Sequence, residues 1–251
     1  MYIASSTLCF GKYTFDRALR TISELRFQKV DLAIHEDGPH LKPSEIAADV
    51  NRYALMLRTT GMSFAAMHVE IGPVESDCYK ERLRACCRLS RLLTAPVVAI
   101  QAAPVGSDLD EEAKRLTRLC QIAESEGVIL TVETNCETVT ADPKGAIELC
   151  RRVPGLGVTL DPSHYHVGPH PTAEYDDLYP YVRHVRLRDT NREKLQVRVG
   201  QGQLEYAKII SLLARENYER ALTVDIRSFP ENDFPMEPEV RKLKLLLDSM
   251  I

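Results

Sequence analysis

Residues 128–161 read VILTVETNCETVTADPKGAIELCRRVPGLGVTLD, and two short aliphatic runs inside this stretch end alike. Val128–Glu133 closes on Thr131-Val132-Glu133, and Gly157–Asp161 closes on Thr159-Leu160-Asp161. Both runs are rich in Val, Leu and Thr, the mark of parallel strands buried on two faces. Working outward, six more runs of this kind appear: Tyr2–Leu8, Lys29–Ile34, Ser63–Val69, Val97–Ala102, Val182–Leu187 and Ala221–Ile226. Helical spacing lies between them. Ile46, Val50, Tyr53, Ala54 and Leu57 share one face of a second helix, introduced by Pro43-Ser44. Leu116, Leu119, Cys120 and Ala123 share a face of a fourth, before which Asp108 and Glu111 have the spacing of a capping box. Tyr206, Ile209, Ile210 and Leu213 repeat the spacing, as do Val240, Leu243, Leu246 and Leu247 in an eighth helix. Eight strands alternating with eight helices, at roughly 31 residues per pair, predict one closed (β/α)₈ barrel over residues 1–251 as a single domain. A doubly wound open sheet would carry a glycine-rich turn after its first strand, and Thr7-Leu8-Cys9-Phe10-Gly11 is not one.

The composition narrows the class of function. With 32 Lys+Arg against 36 Asp+Glu, the formal net charge is −4, so no global field gathers nucleic acid or anionic lipid. No apolar stretch approaches the roughly 18–20 residues of a membrane span, and Met1–Phe15 does not read as a signal peptide. The seven cysteines form no Cys-x-x-Cys pair and read as small apolar core fillers. A cytoplasmic enzyme acting on a small molecule is the expectation, with no nucleic acid and no membrane as partner. A homo-oligomer is compatible with it.

In such a barrel the site forms at the carboxyl ends of the strands. A third run ends Thr223-Val224-Asp225, repeating the pattern at positions 131–133 and 159–161. Side chains alternate along a strand, so each Thr and acid share one face while Val or Leu takes the other. If the aliphatic face packs on helices, Glu133, Asp161 and Asp225 converge in the mouth. Carboxylates gathered there need a cationic partner: a metal, a proton or a basic side chain. His164, three residues after Asp161, is placed to share a ligand with it, whereas His166 and His170 read as loop residues.

Val-Glu-Thr-Asn (132–135), Leu-Asp-Pro-Ser-His (160–164), His-Val-Arg-Leu-Arg-Asp (184–189) and Val-Gly-Gln-Gly-Gln-Leu-Glu-Tyr (199–206) carry a resemblance that spans nearly the whole chain. The chain resembles the xylose isomerase-like barrel family of sugar isomerases and epimerases, including ketose 3-epimerases and, more distantly, type IV apurinic endonucleases. The resemblance implies a divalent metal (Mn, Co, Mg or Zn) held by Glu, Asp, His and Glu at four strand ends, with the two Glu acting as acid and base. By position these are Glu133, Asp161, Arg186 and Asp225. Asp225 in place of Glu is one methylene shorter. Arg186 in place of His is the larger departure, because a guanidinium has no lone pair for a metal and repels it. His184 lies on the same face but about 6.6 Å deeper. His164, a substrate contact in the epimerases and a ligand in the endonuclease branch, is the residue that would fill the vacated ligand position.

Two readings follow. In the preferred one, Glu133, Asp161, Asp225 and His164 retain a metal while Arg186 turns aside or binds an anionic substrate. In the other, Arg186 replaces the metal's charge and pairs with Glu133 or Asp161. By resemblance Arg192 contacts sugar hydroxyls and the Gly200-x-Gly202 turn leads into the seventh helix. His68 and Glu70 end the third strand and Gln101 the fourth; of the endonuclease branch's two metal histidines at these ends only His68 is present, which argues against that branch. Asn135 and Asp189 read as supporting hydrogen-bonders. The expected activity is isomerisation or epimerisation of a sugar or sugar acid in carbohydrate metabolism. Glu133 and Asp225 would move a proton beside a carbonyl, with His68, His164, Arg186 and Arg192 binding the substrate. The alternatives are a catalytically silent barrel that binds an anionic metabolite, motivated by Arg186, Arg188 and Arg192, and a lyase or dehydratase.

Overall fold

The computed structural model describes residues 1–171, 174–228 and 234–251. The strands are β1 Tyr2–Ser6, β2 Lys29–His35, β3 Phe64–Glu70, β4 Val97–Ile100, β5 Ile129–Glu133, β6 Gly157–Leu160, β7 Val182–Leu187 and β8 Ala221–Val224. All pair in parallel in sequence order, and β8 closes on β1, so the barrel is complete. Around it lie α1 Phe15–Glu24, α2 Pro43–Ala48, α3 Val50–Thr59, α4 Ser76–Leu92, α5 Leu109–Ser125, α6 Pro143–Arg152, α7 Ser163–Val167, α8 Tyr206–Arg215 and α9 Met236–Asp248.

Three local expectations give way. The first strand stops at Ser6, whose hydroxyl accepts the Leu8 N–H and starts a 3₁₀ turn, Thr7–Phe10. The second helix breaks in two at Asp49, where φ −156° and ψ 81° leave the helical region. The Asp49 carboxylate caps α3 by accepting the Arg52 N–H, so a helix-start residue inside an unbroken apolar stripe wins locally. Between β6 and β7 the described residues hold the five-residue α7 and a 3₁₀ stretch, Asp176–Tyr181, in place of the full-length helix expected there. Of the capping box at α5 one half forms. Asp108 accepts the N–H groups of Asp110 and Glu111, while the Glu111 side chain pairs with Lys114.

Strand alternation sorts the side chains. Leu32, Ile34, Val98, Ile100, Leu130, Val132, Val158, Leu160, Val185, Leu187, Leu222 and Val224 belong to the main apolar core of the chain. Burying each such side chain stabilises the fold by roughly 1.5–3 kcal/mol before conformational entropy is counted. The opposite parity fills the barrel interior, and it is polar. Asp31, His35, His68, Gln101, Thr131, Glu133, Thr159, Asp161, His184, Arg186, Thr223 and Asp225 alternate with those aliphatics or continue the same strands by one residue. The Thr131 and Thr159 hydroxyls meet at 2.7 Å. A separate small apolar cluster, Ala4, Ala65 and Ala221, lies near the amino ends of the strands. The seven cysteines are free thiols, five of them buried. Among the described residues no helix is long and apolar enough to cross a membrane.

Candidate active site

Strand β7 presents His184, Arg186 and, one residue past its end, Arg188 at alternate positions. Opposite them on the outward face stand Val185 and Leu187. His184 Nε2 lies 2.8 Å from Asp31 Oδ2. One level higher, Arg186 donates from Nε and Nη2 to the same Asp31 oxygen at 3.0 and 2.9 Å, and from Nη1 to Glu133 Oε1 at 3.0 Å. At the top, Arg188 Nη2 donates to Asp161 Oδ2 at 2.5 Å and to Asp225 Oδ2 at 2.9 Å. Arg227, two residues beyond Asp225, donates from Nε to Asp225 Oδ2 at 3.0 Å.

Four carboxylates and three guanidiniums therefore interlock inside the barrel, and Arg186 and Arg188 are the two largest fully buried side chains among the described residues. Burial alone would push Asp31, Glu133 and Asp225 up, but the neighbouring cationic side chains outweigh it. For Asp31, Arg186 and His184 win against burial and hold the carboxyl at about 2. For Glu133, His68 and Arg186 win against burial and hold it well below the usual carboxylate range. Asp225 is held down in the same way by Arg227 and Arg188. Arg186 is driven up despite burial by Asp31 and Glu133, so its charge is permanent.

The second oxygen of Glu133 is also engaged. Gln101 Nε2 donates to Oε2 at 2.5 Å, and His68 Nε2 lies 3.2 Å from it. His68 Nδ1 meets His35 Nε2 at 3.0 Å, and His35 Nδ1 lies 3.3 Å from Glu70 Oε2. Burial, reinforced by His68, Arg227 and Arg186, keeps the His35 pKa well below the usual imidazole value, so that ring is neutral at pH 7.

The remaining predicted residues divide. Glu133, Asp161, Asp225, Arg186 and His68 come together. His164 sits at the edge: its Nδ1 accepts the Cys136 N–H at 3.3 Å, while its Nε2 is 3.9 Å from Asp161 Oδ2, beyond a hydrogen bond. Arg192 is exposed and does not join the cluster. Asn135 supports the site through Gln101, donating to its Oε1 at 3.2 Å. Asp189 ties the following loop by accepting the N–H groups of Gly200 and Gly202 at 2.7 and 3.0 Å. A side chain at Gly202 would collide with that carboxylate, so the Gly-x-Gly turn serves an acid of the chain itself. Sequence reasoning missed Asp31, His35 and Arg227. Asp31 is an acid of the right parity in the middle of a strand, a signal overlooked by weighing strand ends alone.

The sequence profile of the xylose isomerase-like TIM barrel matches residues 19–246. The chain belongs to that family. Several solved structures of similar fold overlay nearly its full length. D-allulose 3-epimerase from Methylomonas sp., in complex with D-allulose, shares 14% identity at a TM-score of 0.79, covering 100% of this chain and 97% of that one. L-ribulose 3-epimerase shares 15% at 0.77, covering 99% and 93%. The probable 3-DHS dehydratase AsbF from Bacillus anthracis shares 14% at 0.74, covering 99% of each. At such identities the likeness is one of fold. A search of curated protein sequences gave no match.

The metal expected by resemblance does not fit the donor set at these positions in this family member. Asp161 and Asp225 share the Arg188 guanidinium, Glu133 is bonded to Arg186 and Gln101, and Arg186 sits where the resemblance would put a ligand. A dication there would face the fixed positive charges of Arg186 and Arg188, and the oxygens that Asp161, Asp225 and Glu133 turn to those arginines are already hydrogen-bonded. His164 offers no remedy, since its Nδ1 is taken and its Nε2 stands off. A second group, His35, His68 and Glu70, does have atoms spaced within 4.8 Å, as around an ion. Its internal hydrogen bond argues against one. That bond already occupies one nitrogen of each ring.

Proposed function

We propose that this xylose isomerase-like barrel binds a small polyhydroxylated carbonyl compound, a sugar or sugar acid, and moves a proton at the carbon beside the carbonyl. Arginine supplies the positive charge. One observation carries the reading. Arg188 Nε and Nη1 and Asp225 Oδ1 are buried polar atoms with no hydrogen-bond partner among the described residues. They belong to two side chains already joined through Nη2 and Oδ2. Unpartnered guanidinium N–H groups beside a free carboxylate oxygen complement a carbonyl or carboxylate oxygen beside a hydroxyl. Each such buried group costs roughly 1–3 kcal/mol while unsatisfied, so a ligand that satisfies them gains that much.

In this reading Arg188 stabilises the oxygen that becomes negative as the neighbouring carbon loses its proton. Asp225, ionised by its arginines, accepts that proton at Oδ1, and Glu133 is the second carboxylate of the pair. His164 and Arg192, nearer the rim, hold outer hydroxyls. The occupied oxygens of Glu133 favour a second reading, a barrel that binds an anionic sugar-like metabolite without turnover. Elimination, as in a dehydratase, starts from the same proton abstraction and differs in losing a hydroxyl afterwards.

Incubation of the protein with a panel of ketoses and sugar acids in D₂O, followed by proton NMR, separates these. The expected result is loss of the signal beside the carbonyl, slowed by at least about 100-fold in Asp225→Asn. Ligand-induced thermal stabilisation without exchange would move the assignment to a binding protein. New vinylic signals would identify elimination. A panel that neither stabilises the protein nor exchanges would remove the sugar reading altogether.

A further inference from the structure

Four side chains stand in line from the rim to the buried centre of the site: Glu70, His35, His68 and Glu133. Glu70 ends β3 with its side chain 41% exposed, while the His68 and Glu133 side chains are 0% and 1% exposed. The successive gaps are 3.3 Å, 3.0 Å and 3.2 Å. The two rings meet edge to face at 83°, with centroids 4.6 Å apart. Among the described residues only the middle contact has hydrogen-bond geometry; the Glu70–His35 and His68–Glu133 contacts are at ion-pair distance, and His68 Nε2 has no aligned partner. The charged groups facing the rings are Glu70, Glu133 and Asp31 on one side and Arg186 and Arg227 on the other.

We infer that these four residues form a proton wire between solvent and Glu133. The inference rests on the proton-transfer reading of the site only for its use, not for its existence.

Proton counting shows how the wire works. There are three gaps, and when neither ring carries a second proton the two imidazoles bring two N–H protons. With both rings protonated on Nδ1, His35 donates to Glu70, His68 donates to His35, and His68 Nε2 offers a lone pair to Glu133. With both protonated on Nε2, every bond is reversed: His35 donates to His68, His68 donates to Glu133, and His35 Nδ1 offers a lone pair to Glu70. In the direction of reaction in which Glu133 rather than Asp225 is the base, a proton arriving on Glu133 from a substrate carbon passes to His68 Nε2. His68 then releases its Nδ1 proton to His35 Nε2, and His35 releases its Nδ1 proton to Glu70 and so to water. The wire is left in the second state, ready to take a proton from the rim and deliver one inward. One outward passage and one inward passage restore it, as the two opposite directions of a proton exchange at carbon require. No oxidant or further reactant enters.

Both states require the two rings to share one tautomer, and this is measurable without any substrate. In the full chain labelled with ¹⁵N at histidine, long-range imidazole spectra report which nitrogen of each ring carries the proton. The expected result is the same tautomer on His35 and His68, with both rings moving together to Nε2–H in Glu70→Leu. That variant alters an exposed side chain and leaves the core intact. Opposite tautomers, or a His68 ring indifferent to Glu70→Leu, would overturn the wire. So would one equivalent of zinc retained by the wild type and lost in Glu70→Leu, because an ion held by both rings takes the lone pairs that the wire needs.

For its use, the D₂O exchange of the bound sugar is expected to fall at least about tenfold in His35→Asn, with ligand-induced stabilisation unchanged. Equal exchange rates would show that the wire is not on the reaction path. Should the wild type show no exchange at all, the proton-transfer reading fails, and the tautomers alone decide the wire.

Discussion

Arg186 makes three hydrogen bonds to two carboxylates on opposite sides of the barrel, Asp31 and Glu133, whereas a neutral histidine has a single N–H to give. Replacing it therefore does more than change a ligand. Arg186→Met would leave Asp31 and Glu133 buried with their principal cation gone. The expected cost is about 3–5 kcal/mol, read by urea denaturation, and Asp31→Asn in the same chain should recover part of it. The same geometry predicts how metals behave. Chelator, or added Mn, Co, Mg or Zn, should leave the melting midpoint of the wild type in place. Arg186→His alone should stay indifferent as well, because Arg188 still holds Asp161 and Asp225. Only Arg186→His combined with Arg188→Ala is expected to take up a divalent ion, as measured by titration calorimetry. Glu133, Asp161 and Asp225 were legible in the sequence because a strand end fixes both the position and the direction of a side chain. Arg227 was not, since it lies beyond the end of β8, where alternation no longer dictates direction. His164 follows a turn, and the turn aims it at Cys136 rather than at a shared ligand.

All eight strands were legible as elements, because outward aliphatics recur at every second position even where the other parity is polar, although β1, β4 and β8 stop short of the expected ends. Helices were harder to count. The stripe Ile46, Val50, Tyr53, Ala54, Leu57 is continuous in spacing, yet Asp49 cuts it, because a carboxylate that satisfies the Arg52 N–H competes with continued helix. Asp49→Ala should cost about 0.5–2 kcal/mol in urea denaturation and leave sugar binding untouched. After β6, Gly168, Pro169, Pro171 and Pro180 punctuate the chain heavily, and the described residues there form α7 and a 3₁₀ stretch. Such punctuation is visible in the sequence, but the regular alternation on either side masks it.

For the whole molecule, buried ion pairs tie stability to pH. Asp31, Glu133 and Asp225 all have folded-state pKa values below their unfolded ones. Their contribution is therefore complete above about pH 4 to 5 and is lost as pH falls towards the folded values. Asp31 alone, lowered from 3.8 to about 2, accounts for about 2 kcal/mol that disappears over that interval. Urea midpoints measured at pH 7, 4 and 3 should be level at first and then drop sharply at the acid end. Salt should change little of this, since the pairs lie out of reach of screening ions.

The interior lattice of arginines has one more consequence. A barrel whose site is assembled around a captured ion depends on its surroundings to supply that ion and to withhold the wrong one, and copper or zinc outcompetes magnesium or manganese at most donor sets. Here the balancing charge is encoded at positions 186, 188 and 227 and is synthesised with the chain. Scarcity of trace elements, or a surplus of the wrong one, has nothing at these positions to remove or replace.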